Sequence, residues 1–167
     1  HPDHFICYDY AGGDLPGDVV KCILQDSKGR VWLATSGTGF SCCIPDGDYR
    51  HLRFRHYGVE DGLVNCMVQS IVEDRDGCLW LSTEYGISRF SPETETFENF
   101  FFSPYALGNY YGDNSGCLTA DGKVVFGSGH GVVVITPQAT ANELVAPPVV
   151  SLTSLLVDGG VVHPSDE

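Results

Sequence analysis

Short runs that alternate apolar and polar residues recur along the chain in one order, separated by turns rich in glycine and aspartate. Residues 20–35 (VKCILQDSKGRVWLAT) and 68–83 (VQSIVEDRDGCLWLST) align without a gap at an offset of 48. A third, weaker copy follows at an offset of 45, in which Asp121 matches Asp76 and Val125 takes the position of the tryptophan. Self-similarity at a nearly constant period is the signature of a repeat architecture, so it governs the fold prediction.

Each copy divides into short strands, because its apolar residues alternate or form short runs bounded by turn residues. The predicted first three strands are residues 19–24, 31–34 and 40–44, then 67–72, 79–82 and 87–90, then 116–118, 124–126 and 132–135. A fourth strand is marked by aromatic residues three positions apart, at Phe54 and Tyr57 and again at Phe97 and Phe100. No segment keeps an apolar period of about 3.6 residues, so the sequence predicts essentially no helix.

The predicted fold is all-β and consists of β-propeller blades, each with four antiparallel strands. Four short strands that recur every 45–48 residues are typical of a propeller blade. A β-sandwich is the alternative, but a sandwich does not require the same aspartate, glycine, tryptophan and threonine positions in successive copies. Closed propellers have about four to eight blades. About three blades therefore predict an incomplete ring with open apolar faces.

The predicted domain boundaries follow from where the pattern changes. Phe5 and Tyr8 repeat the aromatic spacing of a fourth strand, whereas no such pair follows Pro137 in the third copy. After residues 147–148 the alternation loosens around 158–160 (DGG), which predicts a hairpin at the start of another β domain. The predicted segments are the outer strand of a preceding blade with its linker (1–14), two blades (15–62 and 63–107), a last, incomplete blade (108–146), and the first strands of another β domain (147–167).

Composition limits the class of protein and its partners. Of the 167 residues, 43% are apolar, and the mean hydropathy is −0.03, as in a soluble globular chain. No apolar run approaches the roughly 20 residues of a membrane-spanning helix. The formal net charge is −13, and such a surface repels a phosphate backbone. The charge therefore argues against nucleic-acid binding.

Cysteine and histidine positions predict no metal or catalytic site. The seven cysteines cannot all pair and show no C-x-x-C spacing. Their expected role is that of small buried hydrophobic residues, with a disulfide left open for an oxidising compartment. Residues 127–131 (GSGHG) differ from the G-x-S-x-G nucleophile motif and align with the turn before strand three. We expect no catalytic residue, no metal and no cofactor.

The repeated frame resembles a known family. The pattern I-x-x-D-x-x-G-x-x-W-L-x-T-x-x-G at residues 71–86, and closely at 23–39, looks like the two-component regulator propeller repeat. The tail 147–160 (PPVVSLTSLLVDGG) resembles the start of the immunoglobulin-like domain that follows such propellers. The resemblance therefore implies that residues 147–167 are the first strands of a truncated domain of that kind, a β-sandwich.

The resemblance also implies a biological context. Members of the family are periplasmic sensor regions of membrane-anchored hybrid two-component regulators, common in Bacteroides-type bacteria, and many respond to oligosaccharides. The implied partners are an oligosaccharide ligand and either the remaining propeller blades of the parent protein or further copies of the chain. The kinase, receiver and DNA-binding parts would lie beyond Glu167, so no kinase activity is expected here.

Residues that recur once per copy are expected to build the architecture, because a ligand site is built once rather than once per blade. Aspartate and glycine would close the turn and tryptophan would pack between blades; these residues are Asp26, Gly29, Trp32, Asp74, Gly77 and Trp80. Candidate ligand contacts are residues that break the repeat in loops at one propeller face, namely Asn65, Glu84, Tyr85, Tyr110, Tyr111, Asp113, Asn114 and His130. The adjacent tyrosines offer flat faces to a sugar, and residues 113–114 offer hydrogen bonds to hydroxyl groups.

Three functions remain open on the sequence. The first is a ligand sensor, and the second is a structural propeller segment that mediates dimerisation or signal transmission without binding a ligand. The third is a propeller enzyme. A glycosidase would require two carboxylates about 5–10 Å apart in a pocket, and nothing in the sequence pairs the acidic residues. We therefore expect a non-enzymatic sensor.

Overall fold

The computed structural model describes residues 5–46, 48–101, 110–137, 155–157 and 160–162. The chain divides into two units, His1–Pro137 and Gln138–Glu167. Three antiparallel sheets form the first unit, and a two-stranded sheet lies in the second. Apart from a 3₁₀ turn at Val59–Asp61 and a helical residue at Pro137, every regular element in the described part is a strand. The all-β prediction is confirmed.

Each sheet of the first unit is one blade whose strands pair in sequence order. Blade 1 comprises β1 (Val20–Gln25), β2 (Val31–Thr35), β3 (Gly39–Asp46) and β4 (Asp48–Tyr57). Blade 2 comprises β5 (Val68–Glu73), β6 (Leu79–Thr83), β7 (Gly86–Ser91) and β8 (Thr96–Phe100). Blade 3 comprises β9 (Tyr111–Leu118), β10 (Val124–Ser128) and β11 (Gly131–Ile135), and the second unit pairs β12 (Leu155–Val157) with β13 (Gly160–Val162).

Two parts of the chain differ from the strand prediction. Residues 5–9 form no strand, although Tyr8 packs edge-on against Phe54 with ring centroids 5.9 Å apart. No residue of this segment pairs in a ladder. Strand β9 begins at Tyr111 rather than at residue 116, because an interruption in its pairing separates two ladder segments. The domain boundaries and the immunoglobulin-like tail remain predictions, and the prolines at 147–148 lie outside the described residues.

The turn between β1 and β2 is closed by one buried carboxylate. Asp26 Oδ1 accepts hydrogen bonds from the backbone N–H groups of Lys28 and Arg30, at 3.0 and 2.8 Å. Its Oδ2 accepts the indole N–H of Trp32 at 2.9 Å. Gly29 has φ 81°, a left-handed conformation that glycine adopts without steric cost. The aspartate thus ties the turn to the tryptophan that follows it.

Blade 2 repeats this arrangement and blade 3 replaces it. Asp74 accepts the indole N–H of Trp80 at 2.8 Å, and Gly77 has φ 79°. In blade 3 the equivalent turn is closed by the hydroxyl of Thr119, which accepts the backbone N–H of Lys123 at 2.9 Å. Val125 stands where the indole would be, so no donor there requires a carboxylate. The predicted architectural role of the recurring residues agrees with these contacts.

The apolar core lies between neighbouring blades. Trp32 of blade 1 meets Phe90 of blade 2 edge-on, with ring centroids 5.8 Å apart. Trp80 of blade 2 shares a buried cluster with Val124 and Phe126 of blade 3. Burial of each such side chain contributes about 1.5–3 kcal/mol. Each blade therefore depends on its neighbour for much of its stability.

The first strands of the three blades are the inner ones. Strand β5 lies between β1 and β9 and contacts both, and β1 also contacts β9. In a propeller the first strands line the central axis. Polar residues on these strands can consequently reach from one blade to another.

Candidate functional site

The turns between second and third strands lie at the same end of the blades as the segments leading into the first strands, as the sequence predicts. One backbone hydrogen bond joins turn and segment in each blade: Ser36 N–H to Val19 O (2.9 Å), Glu84 N–H to Met67 O (3.2 Å) and Gly129 N–H to Tyr110 O (2.9 Å). We call this end the upper face, comprising residues 15–19, 36–38, 58–67, 84–85, 101, 110 and 129–130. Most of the candidate ligand contacts lie on it.

The inner strands carry extra residues where they leave the upper face. The pairing of β1 with β2 is irregular at Lys21, and that of β5 with β6 is irregular at Gln69. In β9 the interruption is longer, because residues 112–115 lie between two paired positions while Gly127 alone lies between their partners. Bulges of this kind redirect side chains out of the regular pleat. They occur here at equivalent places in three blades.

Side chains at these bulges meet in a network that spans all three blades. The ammonium of Lys21 donates to Gln69 Oε1 at 2.7 Å and to Asp113 Oδ1 at 2.9 Å. The amide of Gln69 extends to Glu84 Oε1 at 3.5 Å, the limit of a weak hydrogen bond. We call Lys21, Gln69, Glu84 and Asp113 the inner polar network. Its members come from a strand or turn of each blade.

Exposure differs sharply within the inner polar network. Gln69 is only 1% exposed, and the side chain of Lys21 is 16% exposed. The carboxylate of Asp113 is 59% exposed and that of Glu84 is also exposed. The cation is thus engaged inside the network, while the two anions remain open to solvent. An ionised carboxylate can only accept hydrogen bonds, so the open groups favour a ligand that donates them.

Two of the predicted tyrosines are accessible. Tyr85, beside Glu84, is 57% exposed, and Tyr110, three residues before Asp113, is 64% exposed. Tyr85 also meets the exposed Phe101 edge-on, with centroids 6.1 Å apart. Each open carboxylate of the inner polar network therefore has an exposed aromatic ring close by in sequence.

The prediction for Tyr111 is not met by the structure. Its ring is 1% exposed and lies 6.1 Å from that of Phe126 in the core between blades 2 and 3. Burial raises the pKa of its phenol. Alternation along β9 explains the difference, since neighbouring residues of a strand point to opposite sides. With Tyr110 outside, Tyr111 must point into the core, where no ligand can stack on it.

The remaining candidates have local structural contacts. Asn65 Oδ1 accepts the backbone N–H of Met67 at 2.8 Å and so shapes the segment entering β5. Asn114 is exposed in the β9 bulge with φ 48°, a left-handed conformation that asparagine tolerates better than most residues. His130 is exposed in the turn after β10, and its backbone N–H lies 3.4 Å from Ser128 Oγ.

The structure thus joins Glu84 with Asp113 and places Tyr85 and Tyr110 beside them, but it also includes two residues that the sequence interpretation missed. Lys21 and Gln69 occupy the same repeat position, 48 residues apart, and the alternation pattern predicts only that they belong to regular strands. The signal available in the sequence was that this repeat position changes from a lysine in blade 1 to a glutamine in blade 2. A bulge that turns this position towards the axis is not visible in the alternation pattern.

Other features of the described residues add little to the site. A groove on the upper face of blade 1 is lined by residues that include Thr38, His56, Glu60 and Cys66. Among the described residues no group of three or more histidine, cysteine or acidic side chains is placed to hold a metal ion. The same residues include no helix of the length and apolarity needed to cross a bilayer. All seven cysteines are free thiols: Cys22, Cys42 and Cys43 are buried as expected, whereas Cys7 and Cys117 are exposed.

Comparison with known proteins confirms the resemblance of the repeat. The family model described as two component regulator propeller matches residues 14–37 and 62–85. These ranges contain the turn, the tryptophan and the threonine of blades 1 and 2. The chain therefore carries two copies of that repeat. No curated protein matches the chain.

Solved structures share the fold. The extracellular domain of BT3049 from B. thetaiotaomicron, assigned as a hybrid two component system, is 26% identical over 95% of this chain and 22% of that chain, with a TM-score of 0.72. The extracellular domain of BT4673 from the same organism, also assigned as a hybrid two component system, is 21% identical over 71% of this chain and 17% of that chain, with a TM-score of 0.58. At that identity the second likeness shows the fold alone. The chain thus spans about a fifth of the length of these structures.

Proposed function

We propose that this chain, with its two-component regulator propeller repeats, is part of the extracytoplasmic sensor region of a hybrid two-component signalling protein. In this proposal the upper face contributes to binding an oligosaccharide, and binding is relayed to a histidine kinase elsewhere in the protein. Periplasmic placement and attachment to a membrane belong to the same proposal. The likeness to the extracellular domain of BT3049 supports it.

The inner polar network is the observation that carries the binding role. It lies where the repeats diverge, at bulges on three inner strands, and it gathers polar groups from three blades. Ligand sites of this kind are concave positions where a few polar groups converge. The carboxylates of the recurring Asp26 and Asp74, in contrast, already accept hydrogen bonds within their own turns.

Exposed aromatic rings favour a sugar as the ligand. A pyranose has a flat face of C–H groups that packs on an aromatic ring and an edge of hydroxyl groups that donate hydrogen bonds. Tyr85 and Tyr110 offer exposed aromatic rings on which the C–H face of a sugar can pack. Glu84 and Asp113 offer acceptors beside them. The role that we propose is binding without catalysis, in line with the likeness to the extracellular domain of a hybrid two component system.

Calorimetric titration of the intact sensor with a panel of oligosaccharides tests the proposal. Tyr110→Ala should weaken the affinity for the oligosaccharide that binds by roughly tenfold, the cost of losing one stacked ring. Phe5→Ala is the matched control, since Phe5 is an exposed aromatic residue outside the upper face. Equal affinities of the wild type and Tyr110→Ala would contradict a binding role for this face.

The open side of blade 3 favours a second candidate, a structural segment that mediates dimerisation or signal transmission. Val132 and Val134 are 60% and 57% exposed. The position equivalent to Val132 in blade 2 is Ile87, which is buried against the next blade. An apolar strand left open in this way needs a cover. If substitutions here abolish kinase activation while ligand affinity is unchanged, this candidate describes the segment better.

A further inference from the structure

We infer that the upper face selects an uncharged oligosaccharide and discriminates against acidic glycans, a conclusion that rests on the proposed function and specifies its ligand class. The selection comes from the way in which Lys21 is neutralised within the inner polar network. A glycan with carboxylate or sulfate groups would find the nearest cation already paired. A glycan with hydroxyl groups alone would find open acceptors.

The exposed side chains of the inner polar network offer hydrogen-bonding capacity of one kind. The ammonium of Lys21 already serves Gln69 and Asp113 at 2.7 and 2.9 Å. The exposed groups that remain in this network are the carboxylates of Asp113 and Glu84, which accept hydrogen bonds only. Sugar hydroxyls can donate to them. Sugar carboxylates and sulfates, being acceptors themselves, cannot.

The net charge around the inner polar network also disfavours an acidic ligand. Lys21 and Asp113 cancel, which leaves the negative charge of Glu84. The upper face adds three further acids, Asp18, Glu60 and Asp61. An approaching anion is therefore repelled by charges of its own sign.

The cations of the chain are concentrated elsewhere. Lys21 is the only lysine or arginine on the upper face or on an inner strand. Four others lie in or beside the turns at the opposite ends of the blades, namely Lys28, Arg30, Arg75 and Lys123. Those four are engaged there, for example Lys28 with Glu93 at 2.7 Å and Lys123 with Asp121 at 2.8 Å. An anion-binding site would require at least one uncommitted cation near the candidate contacts.

A matched pair of glycans tests the inference in the intact sensor. We would titrate oligogalacturonate and the neutral oligosaccharide made from it by carboxyl reduction, and likewise glucuronoxylan oligosaccharides and linear xylo-oligosaccharides. Within a pair that binds, the neutral member should bind at least tenfold more tightly. Its affinity should change less than about twofold between low and high salt, because no ion pair with the ligand is screened.

Substitution of Asp113 ties the selection to the inner polar network. Asp113→Asn keeps an acceptor but removes the charge that neutralises Lys21. The variant should bind the neutral glycan several-fold more weakly and the acidic glycan more tightly than wild type, so that discrimination narrows. Asp121→Asn is the matched control, since it makes the same change in the same blade at the opposite end of β9 and should leave both affinities unchanged.

The outcomes separate the inference from the proposed function. Preference for the acidic member, with an affinity that falls in high salt and is lost in Lys21→Gln, would overturn the inference and leave the sensor role intact. Neutral preference that is the same in wild type and Asp113→Asn would overturn the assignment to the inner polar network. Binding of no glycan in a broad neutral and acidic panel would overturn the proposed function and the inference together.

Discussion

In blades 1 and 2, a single carboxylate accepts hydrogen bonds both from the turn between the first two strands and from the adjacent tryptophan indole. Asp74 accepts two backbone N–H groups through Oδ1, at 2.9 Å each, and the Trp80 indole through Oδ2 at 2.8 Å. The hydrogen bond from the indole is buried and those from the backbone are partly buried, and a buried donor left without a partner costs about 1–3 kcal/mol. In blade 3 carboxylate and indole are absent together, at Thr119 and Val125.

Replacement of this carboxylate by an amide should therefore destabilise the protein. In Asp74→Asn one end of the side chain still accepts, but the other end donates and opposes either the indole or the backbone N–H groups. We expect the free energy of unfolding to fall by about 2 kcal/mol, measured by urea denaturation. Asp76→Asn, an exposed change in the same turn, should cost far less; similar losses in the two variants would contradict this account.

Asp26 should make stability depend on acid pH. Burial alone raises the pKa of this carboxyl, but hydrogen bonds from Trp32 and Arg30 outweigh burial and hold the pKa below its usual value. The unfolded chain, with a pKa of about 3.9, then binds more protons than the folded one. The stabilisation from Asp26 is complete above about pH 5 and is lost as pH falls through the folded-state pKa.

Urea denaturation between pH 6 and pH 3 checks this expectation. The difference in unfolding free energy between wild type and Asp26→Asn should be largest at pH 6 and should shrink as the pH falls. A difference that stays constant over this range would show that the carboxyl does not titrate with folding.

At this scale the sequence predicts the repeated residues well and the site only in part. Asp26 and Trp32 recur, so their roles follow from the repeat itself. Tyr111 could not be told from Tyr110, because the strand that orients them begins five residues before the predicted one. The role of Lys21 could not be predicted, because a bulge changes where one residue of a strand points without changing the hydrophobic pattern.

At the scale of strands, blades 1 and 2 reach the same arrangement around tryptophan by exchanging two residues. In blade 1 Arg30 lies 5.5 Å from the Trp32 ring, and Cys42 stands opposite that tryptophan on β3. In blade 2 the residue opposite Trp80 is Arg89, which lies 5.7 Å from its ring, and Cys78 takes the position equivalent to Arg30. The guanidinium thus reaches the indole and the aspartate from either strand.

This exchange predicts compensation between two positions. Arg89→Cys should lower the free energy of unfolding by about 1 kcal/mol, through loss of the cation–π contact and of the charge beside Asp74. Adding Cys78→Arg should restore most of that loss, because the new arginine takes the place that Arg30 has in blade 1. Urea denaturation of the two single variants and the double variant gives the coupling energy. Additive effects would show that the two positions are independent.

The boundaries of the first three strands of each blade were largely predictable, since their predicted and observed ends agree within two residues except at the start of β9. Alternation and the Asp-x-x-Gly turns carry that information locally. The outer strand predicted within residues 1–14 is not seen in the described residues 5–9, and a strand requires a neighbour as well as a pattern. Pairing is a property of the sheet, which no single segment encodes.

At the scale of the whole molecule, the two terminal blades of the first unit expose the kind of surface that neighbouring blades bury inside it. Ile23 on β1 is exposed, whereas the equivalent Ile71 is buried against blade 1. Val132 is exposed where Ile87 is buried. The first and last blades therefore each expose one of the two surfaces that pack together in an interface between blades.

The chain studied alone should consequently self-associate. Multi-angle light scattering should give a mass above that of the 18.1 kDa chain, and Val132→Lys should shift the distribution towards the monomer by placing a charge on the open strand β11. Val59→Lys, a change at an exposed valine on the 3₁₀ turn, is the control. A well-folded monomer over a range of concentrations would contradict the expectation.

The two ends of each blade are under different structural requirements, so their sequences differ in how freely they can change. The turns closed by Asp26 and Asp74 must satisfy buried donors, so few substitutions are tolerated there. The bulges at Lys21, Gln69 and residues 112–115 vary in length and charge while the strands beyond them keep their register. A lineage of these blades could thus acquire a new specificity at one end of its strands while the rest of the framework is inherited intact.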